Sequence, residues 1–564
     1  MAATPLATDP VMPVRLLVIG IALAVGFWAP SRVGLSRPVL IGVGVLIGVF
    51  VVAALAGATP WTSLLGRYPR YEGLPMMLAY ASAVVVGARL LQRPRHHRIF
   101  VEVLALATCV NAVVALVQLV TDPGSRVTGL LGNSTTLGTY GLLAVVVIGW
   151  ALATEPRPIL WAGALAAGVC IVLSASRGVL VGTVAALAAA LLVRRFATKP
   201  PRWQHLAIGV AAITIAALLV PTTAARVTGS SPFSSSTISG RLLLWQDAVR
   251  LWLSHPVLGS GPSRFVDAVN PFHTEAWAAA VGPYAPPDSP HNVLLQVLCA
   301  TGVVGVLALA GVAYLAGRDA FRLRAPLLGP AVAVAVGLAV TYLTSFTDPV
   351  TTTLAAFVVG GALAARPYDQ LTTAQRLWPA GLTLAVTGVL GGSLLVAEVG
   401  YSAALTDTDP APAAQRAIAA RPWDPDVVRR VSYTVAKRAE TAKIDTGYLT
   451  APLAKACARL PESVECLLTL ASVKDSTGDV AGALAEAEAA IAIDPTNVDA
   501  RLAAGIALAK LARYAEAEAA FQHAASLRPT APEPWTDLAT LYDLMGRTSD
   551  ATAARAKAAE LTKR

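Results

Sequence analysis

Residues 288–315 read DSPHNVLLQVLCATGVVGVLALAGVAYL. From Val293 to Leu315 the stretch carries no charged side chain. It is long enough to cross ~30 Å of hydrocarbon, which takes about 20 apolar residues in a helix. A polar pentad, Asp288 to Asn292, stands at its mouth. Comparable runs recur at roughly 13–30, 39–57, 74–92, 99–120, 135–153, 158–174, 178–194, 206–221, 292–316, 325–345, 349–366 and 376–398, about twelve spans. The pattern continues to about residue 398, so one secretory leader does not account for it. Composition agrees: of 564 residues 55% are hydrophobic and 14% charged, with a mean hydropathy of +0.60. A soluble chain carries about a quarter charged residues.

The net charge of +10 does not point to nucleic acid. Much of the excess lies in short loops between spans: Arg93, Arg95 and Arg98; Arg194, Arg195, Lys199 and Arg202; Arg318, Arg322 and Arg324. Basic inter-span loops face the cytoplasm. The alternate loops at about 58–73, 121–134, 174–177, 222–291 and 345–348 then face outward, together with the N-terminus and everything after residue 398.

Beyond residue 400 the sequence turns to Ala, Glu, Asp, Lys and Arg with helical periodicity. A repeat of about 34 residues starts at Val464, Val498 and Pro532. Its eighth position reads Ala471, Gly505, Ala539 and its twentieth Ala483, Ala517, Ala551. The twenty-seventh reads Ala490, Ala524, Ala558, and Pro495 and Pro529 close the first two frames. Small residues at these places allow two helices to cross closely, and proline ends the second helix. The array resembles tetratricopeptide repeats, which bind partners and do no chemistry of their own. Residues 411–463 hold degenerate helical units, with Arg421-Pro-Trp-Asp-Pro425 as a turn between them. Cys457 and Cys466 lie in this tail, where they are expected as two unpaired core thiols; an oxidising surrounding would let them pair.

Four outward polar places could carry chemistry, because polar groups at a membrane boundary are costly without a purpose. His291 has the one side chain whose ordinary pKa suits proton transfer near neutrality. Asp288 and Asn292 flank it, and after Asn292 come nine residues, Gly302, two more and Gly305; such glycines permit close helix packing. Arg177, in the hairpin Ser174-Ala-Ser-Arg-Gly178, offers a planar fork that suits phosphate. Arg241 is expected in the first turn of an amphipathic loop helix that leads to a glycine-rich turn at 254–262. Arg67 and Arg70 lie in Ser63–Gly73, and Asn133 in Gly129–Ser134. Each has a plain alternative: a cap, a headgroup contact or a connector. No Cys/His cluster with zinc spacing and no nucleotide loop is present, which argues against an ATP-driven pump.

Together these segments resemble the O-antigen ligase and polymerase superfamily over about residues 40–365. The resemblance rests on the His291–Asn292…Gly302…Gly305 spacing and on Arg177 and Arg241. It extends to the phrase from Arg241-Leu-Leu-Leu-Trp through Pro256-Val-Leu-Gly to Phe265, and to Gly132-Asn133. Gly66-Arg-Tyr through Glu72-Gly73 is similar to members with repeat tails. Gly132-Asn-Ser134 departs from the family's more usual Asn-Pro-Asn, and the tail is placed outside where many members end in the cytoplasm. The resemblance implies an all-α, GT-C-like polytopic bundle (residues 1–400), then degenerate repeats (401–463) and a tetratricopeptide α-solenoid (464–564), in a bacterial cytoplasmic membrane. It implies transfer of a glycan from an undecaprenyl-pyrophosphate carrier to an acceptor hydroxyl, with no cofactor or metal. His291 would be general base and Arg177 and Arg241 would hold the pyrophosphate. Asn292, Arg67, Arg70, Asn133 and Asp288 would contact substrate. The acceptor could be a glycan, a lipid or a protein, and the repeats could hold a protein partner. A repeat-unit polymerase and a protein O-oligosaccharyltransferase share this pattern. A transporter would need ionisable groups near mid-membrane, where the sequence shows few; a repeat scaffold would not need so many spans.

Overall fold

A computed structural model describes residues 11–29, 34–122, 126–196, 223–225, 234–281, 287–324, 327–364, 373–442 and 444–563. Every regular element among them is helical. Eleven of the expected spans coincide with apolar helices, from Val11–Trp28 to Thr373–Thr406. The remaining one, 206–221, lies outside the described residues. Among the described residues five helices are long and apolar enough to cross a membrane by length and composition, and six shorter apolar ones accompany them.

The bundle is assembled around Ser134–Thr154, whose apolar stretch is 83% buried, against 17% for the peripheral helix Arg37–Ala56. Leu137, Leu142, Leu143 and Ile148 are fully enclosed there. On the periphery Val18, Ile41, Val120, Leu165, Leu192 and Leu307 point outward. A soluble protein hides side chains of that kind, and a lipid-facing surface displays them.

The polar loops gather on one face. Arg15, at the start of the first helix, pairs with Asp348 at 3.0 Å and donates to the Leu131 carbonyl. Arg126 donates to the Ser174 carbonyl at 3.3 Å. Arg70 reaches Asp288 at 2.9 Å. Thus 58–73, 126–134, 174–177, the end of the long loop and 345–348 share one side, as the alternation of basic loops requires.

The tail sits on that same face. Near residue 400 the composition changes but the backbone does not break: Thr373–Thr406 is one helix, and its buried Glu398 pairs with Arg430 of the helix Pro425–Ala439. Arg421 of the 421–425 turn pairs with Asp424 at 3.0 Å, donates to the Leu390 carbonyl at 2.8 Å and lies over the Tyr71 ring. Three helical hairpins follow on the expected frames: Val464–Ser476 with Val480–Ile493, Val498–Lys510 with Tyr514–Leu527, and Glu533–Leu544 with Thr548–Thr562. Gly505 has no side chain because the Phe521 ring occupies that space.

The cysteine expectation is corrected. Cys457 and Cys466 form a disulfide, their Cα atoms 5.4 Å apart. The short turn between Gly447–Ala458 and Val464–Ser476 brings both thiols to one side, within bridging distance.

Candidate functional site

The mouth of the span Val293–Leu323 is a built corner. Asn292 caps the helix Val293–Leu323, its Oδ1 accepting from the amides of Leu294 at 3.0 Å and Leu295 at 3.2 Å. His291, with φ +50, turns the chain from the loop into the helix. Left-handed backbone is uncommon outside glycine, though His, Asn and Asp adopt it more readily than most. The His291 ring meets the Phe346 ring at 5.3 Å, and the Arg70 guanidinium lies 5.2 Å over the same ring. Arg70 Nε is 2.9 Å from Asp288, and its Nη2 donates to the Asp288 carbonyl at 3.1 Å. Glu72 stands 3.6 Å from Arg70 and accepts from Tyr80 and Thr347, each at 2.6 Å.

Arg241 comes from the helix Ser234–Ser254. That helix starts earlier than expected, so Arg241 lies in its interior and not in its first turn. Four residues on, on the same face, Trp245 Nε1 donates to the Pro290 carbonyl at 2.9 Å. That bond holds the loop helix against the His291 corner. Burial lowers the His291 pKa; Asp288 opposes this, while Arg241 and Arg70 reinforce it. Burial also lowers the pKa of Arg241, and no carboxylate among the described residues compensates it. Arg70 differs: burial disfavours its charge, but Asp288 and Glu72 outweigh that and raise its pKa.

Arg177 begins the helix Arg177–Val193. Its neighbour Gly178 packs against Thr344, two residues from Phe346. Asn133 caps Ser134–Thr154, accepting from Thr135 and Thr136 at 2.8 and 3.2 Å. Arg67 is placed differently from the rest. Its Nε and Nη2 bind both oxygens of Asp426 at 2.9 Å, and Nη1 pairs with Asp267. The guanidinium is thus closed between the long loop and the tail.

Gly302 does more than permit helix packing. With φ +63 and ψ −164 it breaks the helix Val293–Leu323, and a Cβ there would overlap the Val257 carbonyl. Into the break come Pro256 and Val257, whose carbonyls accept from Val303 at 2.9 Å and Val304 at 3.3 Å, while Ser260 N donates to Cys299 O at 2.8 Å. The glycine-rich loop turn is thereby stitched to the span beneath His291.

Below the corner, a cavity of about 410 Å³ runs between Arg37–Ala56, Leu74–Leu90 and Val293–Leu323. Its deep walls are apolar, among them Leu46, Phe50, Val84 and Leu309, and its mouth carries Arg70, Glu72, Asp288 and Thr347. Above, a second chamber of about 930 Å³ shares Arg67, Tyr68, Pro69, Val266 and Asp288 with it and extends along the tail. Phe346, Thr347 and Tyr80 were not singled out from sequence. The signal available was a four-residue outward loop, Ser345–Asp348, bearing an aromatic and an acid.

Fold and site together define an all-helical membrane protein whose polar corner tops an apolar cavity and carries a tetratricopeptide tail. Residues 162–310, which include Arg177, Arg241, His291 and Gly302, match the model of the O-antigen ligase family. No curated protein matches the chain. Among solved structures, "MamA MSR-1 C2" is 22% identical, covering 31% of this chain and 98% of its own with a TM-score of 0.24. A thermophilic TPR protein of Thermus thermophilus is 26% identical, with 29% and 84% covered and a TM-score of 0.24.

Proposed function

We propose that this protein transfers a glycan from a polyprenyl-pyrophosphate carrier to an acceptor hydroxyl at the His291 corner, on the extracytoplasmic side of a bacterial cytoplasmic membrane. The observation that carries this reading is the stacking of a charged corner, Arg241 and the carboxylate-paired Arg70 beside His291, directly above an apolar cavity between spans. A polyprenyl chain needs the cavity and its pyrophosphate needs the cations.

The acceptor oxygen attacks the anomeric carbon and its proton passes to His291. The bond from that carbon to the pyrophosphate oxygen breaks, and the carrier leaves with the electron pair. His291 is suited to be the base because its lowered pKa keeps the ring neutral at pH 7. Arg241 and Arg177 stabilise the leaving charge; Arg241, which no carboxylate among the described residues compensates, gains most from an anion. Asp288 orients Arg70 and offsets its charge at the histidine. The Cys457–Cys466 bridge favours an oxidising, outward location for the tail. We place the division of the chain at about residue 400, with degenerate repeats to 463 and tetratricopeptide repeats beyond. Transfer from lipid-linked glycan, followed in membranes with equal protein levels, should fall steeply in Arg241→Ala and Arg177→Ala. Unchanged transfer in both would overturn the assignment.

A further inference from the structure

The chamber above the corner has a wall that glycan transfer alone does not explain. Three helices of the tail each present one stripe to it: Tyr433 and Lys437 from Pro425–Ala439; Glu465, Leu468 and Ser472 from Val464–Ser476; Asp499, Leu502 and Ile506 from Val498–Lys510. The spacing of three, four and seven residues within each stripe puts them on single helix faces. The stripes run to Asp288 and Phe346, which contact Arg70 and His291. A molecule lying along the tail is therefore led to the reacting corner.

The chemistry of the wall selects among acceptors. Its apolar positions are aliphatic, Leu468, Leu502, Ala503 and Ile506, and Tyr433 is the one aromatic that the described residues of the tail contribute; at the membrane end of the chamber the Tyr68 ring is covered by Arg430 and the Phe346 ring by Arg70 and His291. Sugar rings are held by stacked aromatic faces, whereas aliphatic steps between hydrogen-bonding groups fit extended polypeptide. The wall is also acidic. Lys437 is occupied by Glu440 at 2.9 Å and Asp475 by Lys510 at 2.6 Å. Arg429 stands 3.6 Å from Glu465. Burial holds the carboxyls of Glu465 and Asp499 above their usual range; Arg429, and Arg528 with Lys437, offset it in part. A further cation lying along the wall would relieve both.

We infer that the chamber is the acceptor site, and that the acceptor is an extended, lysine- or arginine-bearing polypeptide whose serine or threonine hydroxyl is delivered past Asp288 to His291. The inference rests on the transfer reading above, but its binding step can be measured apart from transfer. The purified full-length protein is titrated with a fluorescent peptide of alanine, threonine and lysine, the same peptide with glutamate for lysine, and a neutral labelled oligosaccharide. The lysine peptide should bind, the glutamate peptide should bind at least about tenfold more weakly, and the oligosaccharide should not compete. Asp499→Lys and Ile506→Glu, on the open wall, should each weaken the lysine peptide about tenfold while the melting temperature holds. His291→Ala should bind it as the wild type does, so a failed transfer mechanism leaves this measurement intact. Preference for the oligosaccharide, no charge preference between peptides, or unchanged affinity in both wall variants would overturn the inference.

Discussion

Arg67 and Arg70 stand three residues apart in one outward loop, and the structure gives them opposite surroundings. Arg67 is enclosed by two carboxylates, Asp267 from the long loop and Asp426 from the tail. Arg70 shares Asp288 and Glu72 with a histidine, an aromatic face and the mouth of a cavity. The first region is a tether, in which every charge is matched across domains. The second is a corner whose paired charges line the mouth of a cavity. Arginine in a polar loop is therefore not itself a sign of substrate binding; where its partners come from and what lies beside them decide.

The comparison breaks most visibly at Arg67. Arg67→Ala leaves Asp267 buried without its cation and Asp426 with only the more distant Arg429 and Arg430, a loss of about 3–5 kcal/mol. It should lower the melting temperature and expose the junction near residue 426 to protease. Arg70→Ala should instead lower glycan transfer, with a smaller melting shift, since Glu72 keeps Tyr80 and Thr347 as donors. Equal melting losses in the two variants would erase the distinction.

Gly302→Ala sets a side chain against the Val257 carbonyl in a backbone region nearly reserved for glycine, at a cost of about 1–3 kcal/mol. Transfer should drop along with stability, because the stitched loop supports the His291 corner. Ala308→Gly, farther down the same span, should spare transfer. Removing the disulfide by Cys457→Ser with Cys466→Ser should cost about 2 kcal/mol, since the bridge closes only a short loop. Thiol labelling of intact cells with and without reductant reads the same bridge in place.

The smallest effect is on pH dependence. His291 acts as a base only when neutral, and its pKa is lowered by burial and by Arg241 and Arg70. The acid limb of kcat/KM should therefore lie below about 6.5, the ordinary histidine value. Arg241→Gln removes one cation, so it should move that limb upward as well as slow transfer. A limb that stays fixed would remove Arg241 from the histidine's surroundings.

Much of this was legible in the sequence because it is periodic. Spans, basic loops and the repeat frames at Val464, Val498 and Pro532 follow from local pattern, and the described helices fall on them. The gathering of outward loops on one face also follows from alternation. The tether was not legible, because Arg67 finds Asp267 and Asp426 across 200 and 359 residues. Nor was the work of Gly302: spacing marks a close approach but cannot say that a loop enters the helix. Arg241 lies deeper in its helix than the sequence suggests, because the polar serines before it look like a loop in sequence and fold as helix. The Cys457–Cys466 bridge depends on a turn geometry that spacing alone leaves open.

The central claim is that His291 takes the acceptor proton during transfer from the lipid carrier. The direct measurement is the pool of lipid-linked glycan in membranes of cells lacking the chromosomal copy and expressing either wild type or His291→Ala at equal levels. The account predicts that wild type drains the pool and that His291→Ala leaves it accumulated, with turnover reduced about 10²–10⁴-fold. A pool drained equally by both would contradict it.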